Sequence, residues 1–165
     1  MPEFHMKDYA NRTLEKLAEG GLFLISGHDK PNIMTIGWSS VGIMWGKPIF
    51  TAPVRYSRYT HEILEWLEEF TICVPKDGMD KELAFCGTRS GRDVDKIKEL
   101  GLTPLPSKKI SVPSIKECAI VYECRVLYQA NMLPENLDHS EESTWYKDDN
   151  YHTFFYGEIL DCYER

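Results

Sequence analysis

The stretch Val54–Thr60, Val-Arg-Tyr-Ser-Arg-Tyr-Thr, places two guanidinium groups and two aliphatic hydroxyl groups within six residues. Five apolar side chains then follow at the spacing of one helical face: Ile63, Leu64, Trp66, Leu67 and Phe70. The polar cluster therefore lies at the start of a predicted helix, where unpaired N–H groups and the helix dipole favour an anion. Four side chains add charges and donors for a phosphate group: Arg55, Ser57, Arg58 and Thr60. The alternative is that Ser57 or Thr60 only caps the helix.

The composition sets limits on partners. The chain has 165 residues, which predicts a single domain over residues 1–165, and a net charge of −7. Its longest basic block is Lys108-Lys109, so a nucleic acid backbone would be repelled and is not an expected partner. Four arginines stand out locally in this acidic chain: Arg55, Arg58, Arg89 and Arg92. This pattern favours a focused site for a small phosphate ester.

The sequence shows no targeting segment, no membrane span and no cysteine pattern typical of disulfides or metal sites. No apolar stretch approaches the roughly 20 residues of a membrane span, and Met1–His5 has neither a basic flank nor an apolar core, with Met6 as an alternative start. We therefore expect a cytoplasmic protein with no membrane partner. The five cysteines form no C-x-x-C pair and have no histidine at zinc-ligand spacing, so we expect reduced thiols and no metal site.

Strands interrupted by short helices are predicted along the chain. Helices are predicted at Met6–Glu19, after Thr60, at Asp80–Phe85 and at Asp93–Leu100. Strands are predicted at Leu22–Ser26, Ile33–Met44, Ile49–Val54, Phe70–Val74, Ala119–Met132 and His152–Asp161. Asn136–Asn150 is polar and acidic and is interpreted as a surface loop rather than a cluster of catalytic carboxylates. Without a regular βαβ rhythm, this order favours a mainly antiparallel barrel with helices on its rim.

Four motifs occur in succession and carry a resemblance. They are Asn32-x-Met34-Thr35-x-Gly37-Trp38, then Val54-Arg55-x-Ser57-Arg58-x-Thr60, then Cys86-Gly87-x-x-Ser90-Gly91-Arg92-Asp93-x-Asp95-Lys96, and finally His152-Thr153-x-x-x-Tyr156-Gly157-Glu158-Ile159. In this order they resemble the flavin reductase-like, FMN-binding split-barrel family, which includes the flavoredoxins. The resemblance covers nearly all of the chain from Gly21 onward.

The resemblance implies a mainly β fold with peripheral helices, a six-stranded Greek-key split β-barrel, which forms a homodimer with FMN near the interface. Such proteins take electrons from a reduced nicotinamide or a protein donor and pass them to free flavin, iron complexes or a partner protein. A non-enzymatic flavin-binding electron carrier, or a barrel that binds another flat cofactor such as haem, remains open. With no GxGxxG turn, NAD(P)H would stack directly on the flavin. Many family members continue past the last strand, so we expect a more open flavin in this chain, which stops at Arg165.

The resemblance also assigns site residues. The isoalloxazine ring would lie on Met34, Thr35, Gly37 and Trp38, with backbone amides and the Thr35 hydroxyl as donors. The rest of the cofactor would contact Arg55, Tyr56, Ser57, Arg58, Thr60, Ser90, Arg92 and Lys96. Alternatives are that Trp38 and Trp45 are core or interface aromatics and that Ser90 only forms a capping box with Asp93. His152 is a candidate for substrate contact, or else a satisfied surface or interface histidine.

Cys86 is the one thiol predicted near this site. Arg89 and Arg92 would lower its pKa if the side chain were accessible. If Cys86 is instead packed at a helix end, it takes no part in the chemistry, and this is the outcome that we expect because flavin chemistry needs no thiol.

Overall fold

A seven-stranded antiparallel sheet forms the body of the protein in the computed structural model, which describes residues 6–165. Its strands are β1 (Leu22–Ser26), β2 (Asn32–Ile36), β3 (Ser40–Met44), β4 (Lys47–Arg55), β5 (Glu69–Val74), β8 (Ile120–Asn131) and β9 (His152–Glu164), and a small sheet pairs β6 (Pro104–Leu105) with β7 (Ser114–Ile115). The helices are α1 (Met6–Glu19), α2 (Tyr59–Trp66), α3 (Asp80–Thr88), α4 (Lys96–Glu99) and α5 (His139–Trp145). Met1–His5, for which the sequence predicts no signal peptide, lie outside the described residues.

The sheet runs in the order β2-β1-β5-β8-β9-β4-β3, and β2 contacts β4 across the opening. The predicted split barrel with peripheral helices is confirmed, but with seven strands in the main sheet instead of six. The difference arises because the segment predicted as one strand, Ile33–Met44, breaks at residues 37–39. Its first half pairs with β1 and its second half with β4, so each belongs to a different edge of the barrel.

Two apolar cores stabilise the barrel. The inner core is filled by large side chains such as Phe50, Phe70 and Phe155, none of which is solvent-exposed. Along β9 the predicted alternation holds, because Thr153, Phe155, Gly157 and Ile159 are buried and the residues between them are partly exposed. The outer core packs α3 and α4 against β1, β2 and β5. This second core fixes the helix ends that border the functional site.

The helix after the opening motif is shorter than its apolar pattern predicts. Ile63 and Leu64 are buried as expected, but Trp66 is 67% exposed, and Phe70 already belongs to β5. The helix ends at Trp66 because Leu67 adopts an extended backbone and the chain enters the sheet. The period-3.6 pattern was therefore two patterns in sequence, one helical and one of a buried strand.

Two other predicted segments differ from the structure. The helix predicted at Asp93–Leu100 covers only Lys96–Glu99, because the Asp95 side chain accepts a hydrogen bond from Lys98 N and caps it there. The segment predicted as a loop, Asn136–Asn150, contains α5, which is capped by Asp138 through Ser140 N at 2.9 Å. Its acidic side chains are largely exposed, as the surface interpretation requires, but a helix carries them.

Three further observations concern the described part of the chain. No helix between residues 6 and 165 is long and apolar enough to cross a membrane. The five cysteines are free and buried. No group of three or more potential metal ligands occurs among the same residues.

Candidate functional site

Two adjacent clefts lie where β2 meets the start of α2. The first, which we call the apolar cleft, has a volume of about 200 Å³ and is lined by Met34, Thr35, Ile36, Gly37, Trp38, Pro53, Arg55, Arg58 and His152. The second, the basic cleft, has a volume of about 140 Å³ and is lined by Asn32, Met34, Ser57, Arg58, Tyr59, Thr60, Thr88, Arg89, Ser90, Gly91 and Lys96. Met34 and Arg58 line both clefts, so one elongated ligand can occupy the two together.

Strand β2 forms the floor of the apolar cleft. It is an edge strand of the sheet, so part of its backbone N–H and C=O groups face away from β1 and are free for a ligand. At Gly37 an added Cβ would meet no protein atom within 4 Å, which leaves the backbone uncovered. The Thr35 hydroxyl, predicted as a donor to a ligand, instead donates to the Leu83 carbonyl at 2.6 Å. The donors that β2 itself offers to this cleft are therefore main-chain groups.

Aromatic side chains border the apolar cleft. The Trp38 ring lies 5.1 Å from that of Trp145, edge to face, and 5.2 Å from the imidazole of His152. Trp38 is 39% exposed and Trp45 is 55% exposed, so the interpretation of either as a core residue is wrong. The cleft thus offers apolar faces, which suit a flat ring system.

His152 is buried beside this cleft. Its Nδ1 shares a hydrogen bond of 2.7 Å with the Tyr146 hydroxyl. Burial, and then the charge of Arg55, lower its pKa to about 4, so the imidazole is neutral at physiological pH. Because Tyr146 engages Nδ1, Nε2 is the ring nitrogen left to contact a molecule in the cleft.

The basic cleft is built on the start of α2. Arg58 is the N-cap residue and makes no side-chain capping bond, so the interpretation of Ser57 or Thr60 as a cap is wrong. The Thr60 hydroxyl accepts from Asn32 Nδ2 at 2.9 Å, and the Ser57 hydroxyl accepts from Asn150 Nδ2 at 2.7 Å. Both hydroxyls keep their own proton for a ligand. The N–H groups of the first helical turn add further donors.

Two cations converge on the end of α3. Arg58 Nη2 and Lys96 Nζ donate to the Cys86 carbonyl at 3.1 and 3.0 Å, and Arg58 Nη1 donates to the Gly87 carbonyl at 2.8 Å. Burial lowers the pKa of both groups, and that of Lys96 falls to about 8. Neither forms an ion pair with a carboxylate within residues 6–165. Their positive charge is therefore available to an anion in the cleft.

Arg55 lies in the apolar cleft, not in the basic one. Its guanidinium donates to the carbonyls of Asn150 at 2.6 Å and Trp145 at 3.0 Å, and it lies 4.9 Å from the centre of the Tyr146 ring. Arg55 thereby ties the segment after α5 to the end of β4. The Trp145 ring packs edge to face against Trp38, which lines the apolar cleft.

Two predicted site residues line neither cleft. Tyr56 is exposed and packs its ring edge to face with His61 at 5.4 Å. Arg92 pairs with Glu62 and donates to the Ser57 carbonyl at 3.0 Å. The predicted capping box also fails, because the Ser90 hydroxyl accepts from Arg92 N at 3.2 Å and caps no helix. Ser90 remains a lining residue of the basic cleft.

Cys86 is packed, as the second of the two expected outcomes states. Its side chain is fully buried, and burial raises the pKa of its thiol to about 11. The cations that lower the pKa of this thiol are Lys96 and Arg58, not the predicted Arg89 and Arg92, while burial and the Glu82 carboxylate raise it. Cys86 contributes its main-chain carbonyl to the site.

Residues outside the predicted set also build the site. Asn32 lines the basic cleft and holds Thr60, and Asn150 bonds both the backbone N–H and the hydroxyl of Ser57. Asn32 is the first residue of the motif that also contains Met34 and Trp38, so the sequence did indicate that it lies near the site. Asn150 is 93 residues from Ser57, and nothing local in the sequence indicates that contact.

Comparison with known proteins places this geometry in a family. Residues 14–165 match the family described as Flavin reductase like domain. The chain belongs to this family. It is 36% identical over 137 residues to an uncharacterised protein of Archaeoglobus fulgidus, covering 83% of this chain and 67% of that protein. Among solved structures, a flavoredoxin from Methanosarcina acetivorans is similar, with a TM-score of 0.70 and 28% identity, covering 88% of this chain and 68% of the other.

A more distant structure shares the fold. An NADH:FAD oxidoreductase of Streptomyces globisporus matches with a TM-score of 0.68 and 16% identity over 100% of this chain and 86% of its own. At this identity the likeness concerns the architecture alone. The fold therefore occurs in a protein described with FAD, and the flavin that this chain prefers depends on its own residues.

The role of Arg55 can be tested by its replacement with methionine, which keeps the length of the side chain but removes the donors. Loss of the bonds to Trp145 and Asn150 should free residues 145–150. Because a charge-assisted hydrogen bond contributes about 1.5 to 3 kcal/mol, hydrogen exchange there should accelerate roughly tenfold or more. Arg12→Met, on exposed α1, is the control and should leave this segment unchanged. Unaltered protection in Arg55→Met would contradict the anchoring role.

Proposed function

We propose that the protein is an FMN-dependent oxidoreductase, with the flavin ring in the apolar cleft and its phosphate in the basic cleft. The observation that carries the proposal is the pair of unneutralised cations, Arg58 and Lys96, directly beside a flat aromatic-bordered cleft. Buried positive charge without a carboxylate partner is unfavourable unless an anion joins it. A phosphorylated flat cofactor satisfies both halves of the site.

The hydrogen-bond donors of the two clefts match the polar groups of FMN at both ends of the cofactor. Main-chain groups of the edge strand β2, around Gly37, match the polar edge of an isoalloxazine ring, while Met34, Trp38 and Pro53 supply apolar contact. The hydroxyls of Ser57 and Thr60, with the start of α2, match phosphate oxygens.

Bound flavin supplies the redox centre, and the protein positions the flavin and supplies the charges and dipoles around it. His152 stays neutral and presents one imidazole nitrogen to the cleft, so it can hydrogen-bond a substrate without repelling a cationic ring. Arg55 holds the main-chain carbonyl of Trp145, whose ring packs against Trp38 at the border of the apolar cleft, so this contact affects how much of the flavin face a second molecule reaches. We propose a reduced nicotinamide or a protein as donor, and free flavin, an iron complex or a partner protein as acceptor.

Replacement of Arg58 by alanine tests the cofactor assignment. It should weaken FMN binding by about 1.5 to 3 kcal/mol, roughly tenfold to a hundredfold, because a charge-assisted contact is lost. Riboflavin has no phosphate, so its affinity should change much less. Fluorescence titration of both flavins measures this, with Arg12→Ala as the control. Equal losses for FMN and riboflavin would contradict a phosphate contact at Arg58.

A second candidate function is that of an electron carrier that uses no nicotinamide. The similarity to a flavoredoxin at 28% identity supports this second function. Steady-state oxidation of NADH or NADPH in the presence of FMN supports the reductase. Photoreduction of the bound flavin without such turnover supports the carrier. An absorption spectrum of haem instead of flavin would contradict both.

We further propose that the functional unit is a homodimer. Three rings cluster on one surface, those of the exposed Trp45 and Tyr128 and of the half-buried Tyr156: Trp45 lies 6.2 Å from both tyrosines, and those two are 5.6 Å apart. Ile43 beside them is 62% exposed. Contiguous exposed apolar surface of this kind is typical of protein interfaces, where tyrosine and tryptophan are enriched.

Trp45→Asn is the matched test of the dimer. Trp45 has a positive φ of 53° in the β3–β4 turn, followed by Gly46 at 67°. Asparagine suits this left-handed turn conformation, so the hairpin should be preserved while the ring is lost. Light scattering should report about twice 19.1 kDa for the native chain and a shift toward monomer for the variant. A native monomer that binds FMN tightly would contradict the proposal.

A further inference from the structure

We propose that Tyr146 is a positioning residue, which fixes the imidazole of His152 as a hydrogen-bond donor toward the apolar cleft. The group that His152 then recognises is an acceptor, namely the oxygen of a carboxamide or of another conjugated carbonyl. This inference rests on the proposed function, because it concerns the second molecule that meets the flavin in that cleft. It goes beyond that function by naming the chemical group that is selected and the side chain that imposes the choice.

The Tyr146 side chain is buried and closely surrounded. The Tyr151 ring stacks on it, with the ring centres 5.0 Å apart and an angle of 19° between the planes. The Arg55 guanidinium lies 4.9 Å from the centre of the Tyr146 ring, and the imidazole of His152 packs edge to face with that ring at 5.5 Å. The Tyr146 backbone N–H donates to the Glu142 carbonyl at 2.9 Å, at the end of α5. These contacts fix the orientation of the phenol, whose hydroxyl lies 2.7 Å from His152 Nδ1.

The positions of the protons follow from the partners that are available. Burial raises the pKa of the Tyr146 phenol, so the hydroxyl keeps its proton. Neutral His152 has one N–H and one bare nitrogen. Among residues 6–165, His152 Nδ1 is the one hydrogen-bond partner of the Tyr146 hydroxyl. If Nδ1 carried the imidazole proton, the buried phenol proton would have no acceptor, because the nearby Arg55 guanidinium is itself a donor. The phenol therefore donates to Nδ1, and the imidazole proton lies on Nε2.

The Nε2–H group is the donor that remains for a ligand. His152 lines the apolar cleft, and within the described part of the chain no protein group bonds its Nε2. The Trp38 ring lies 5.2 Å from the imidazole, and Arg55 adds a positive charge to the same cleft. A neutral N–H beside a cation favours an oxygen that carries partial negative charge and disfavours a second donor at that point. The carboxamide of a nicotinamide carries such an oxygen on a flat ring.

Heteronuclear NMR of the histidine side chains tests the proton assignment on the full chain, with and without FMN. The native spectrum should show His152 in its Nε2–H form, with Nδ1 accepting a hydrogen bond, and the His152 signals are assigned by their loss in His152→Gln. Tyr146→Phe removes only the hydroxyl, so the Nδ1 signal should move to that of a free acceptor. Tyr151→Phe is the matched control, because its ring belongs to the same stack but its hydroxyl donates to Glu142 at 2.7 Å. It should leave both His152 signals unchanged.

A ligand titration tests the recognised group. With FMN bound, nicotinamide should shift the Nε2–H signal of His152. Picoline, which has the same ring with a methyl group in place of the carboxamide, should not. In Tyr146→Phe the affinity for nicotinamide should fall about twofold to tenfold, the usual effect of one neutral hydrogen bond, while FMN affinity stays unchanged. Tyr151→Phe should keep both affinities.

The outcomes separate this inference from the proposed function. A native His152 with its proton on Nδ1, or an Nδ1 signal that is the same in Tyr146→Phe, overturns the inference even where FMN binds as proposed. Equal shifts with nicotinamide and picoline, or an equal loss of FMN affinity in Tyr146→Phe, overturn the assignment of the acceptor to the second molecule. A chain that takes up no flavin overturns the proposed function and this inference with it. If Tyr146→Phe does not fold, the native proton position and the nicotinamide titration decide.

Discussion

The site depends on how the last carbonyls of α3 are satisfied. The end of a helix leaves C=O groups without partners and carries the negative end of its dipole. Here Arg58 and Lys96 occupy that position, one from the start of α2 and the other from the start of α4. The same bonds that complete α3 therefore draw three helix termini together and hold two cations beside the N–H groups of α2. The cleft joins the negative end of one helix, two positive side chains and the positive end of another helix, an arrangement that is balanced when an anion is present.

Arg55 and Arg58 belong to one short motif but contact different parts of the site. Three residues apart, they leave the chain on either side of the turn between β4 and α2. Arg58 lines both clefts, whereas Arg55 is directed to the segment after α5 and holds two of its carbonyls. The motif thus contributes to both clefts and connects the end of β4 to Trp145 and Asn150. His152, which also lines the apolar cleft, contacts Tyr146, and the Arg55 guanidinium lies against the same Tyr146 ring.

The sequence predicted the features that depend on local pattern. Most strand positions along the chain and the alternation along β9 agree with the structure, and Met34, Gly37, Trp38 and Lys96, which the resemblance grouped, line the two adjacent clefts. It did not predict what depends on distant partners. Thr35 gives its proton to Leu83, Ser57 is held by Asn150, and Arg92 is paired with Glu62, and each partner lies roughly 30 to 90 residues away. The burial predicted for Trp66 was wrong for a related reason, since burial depends on where the chain turns next and a periodic pattern does not contain that information.

The central claim is that FMN lies with its phosphate between Arg58 and Lys96 and its ring against β2. A crystal structure of the protein grown with FMN tests it most directly. The account predicts phosphate oxygens within hydrogen-bond distance of Lys96 Nζ, the Arg58 guanidinium and the Thr60 hydroxyl, and the isoalloxazine ring over Met34 and Gly37. A flavin phosphate bound elsewhere, with Lys96 still donating only to the Cys86 carbonyl, would contradict it.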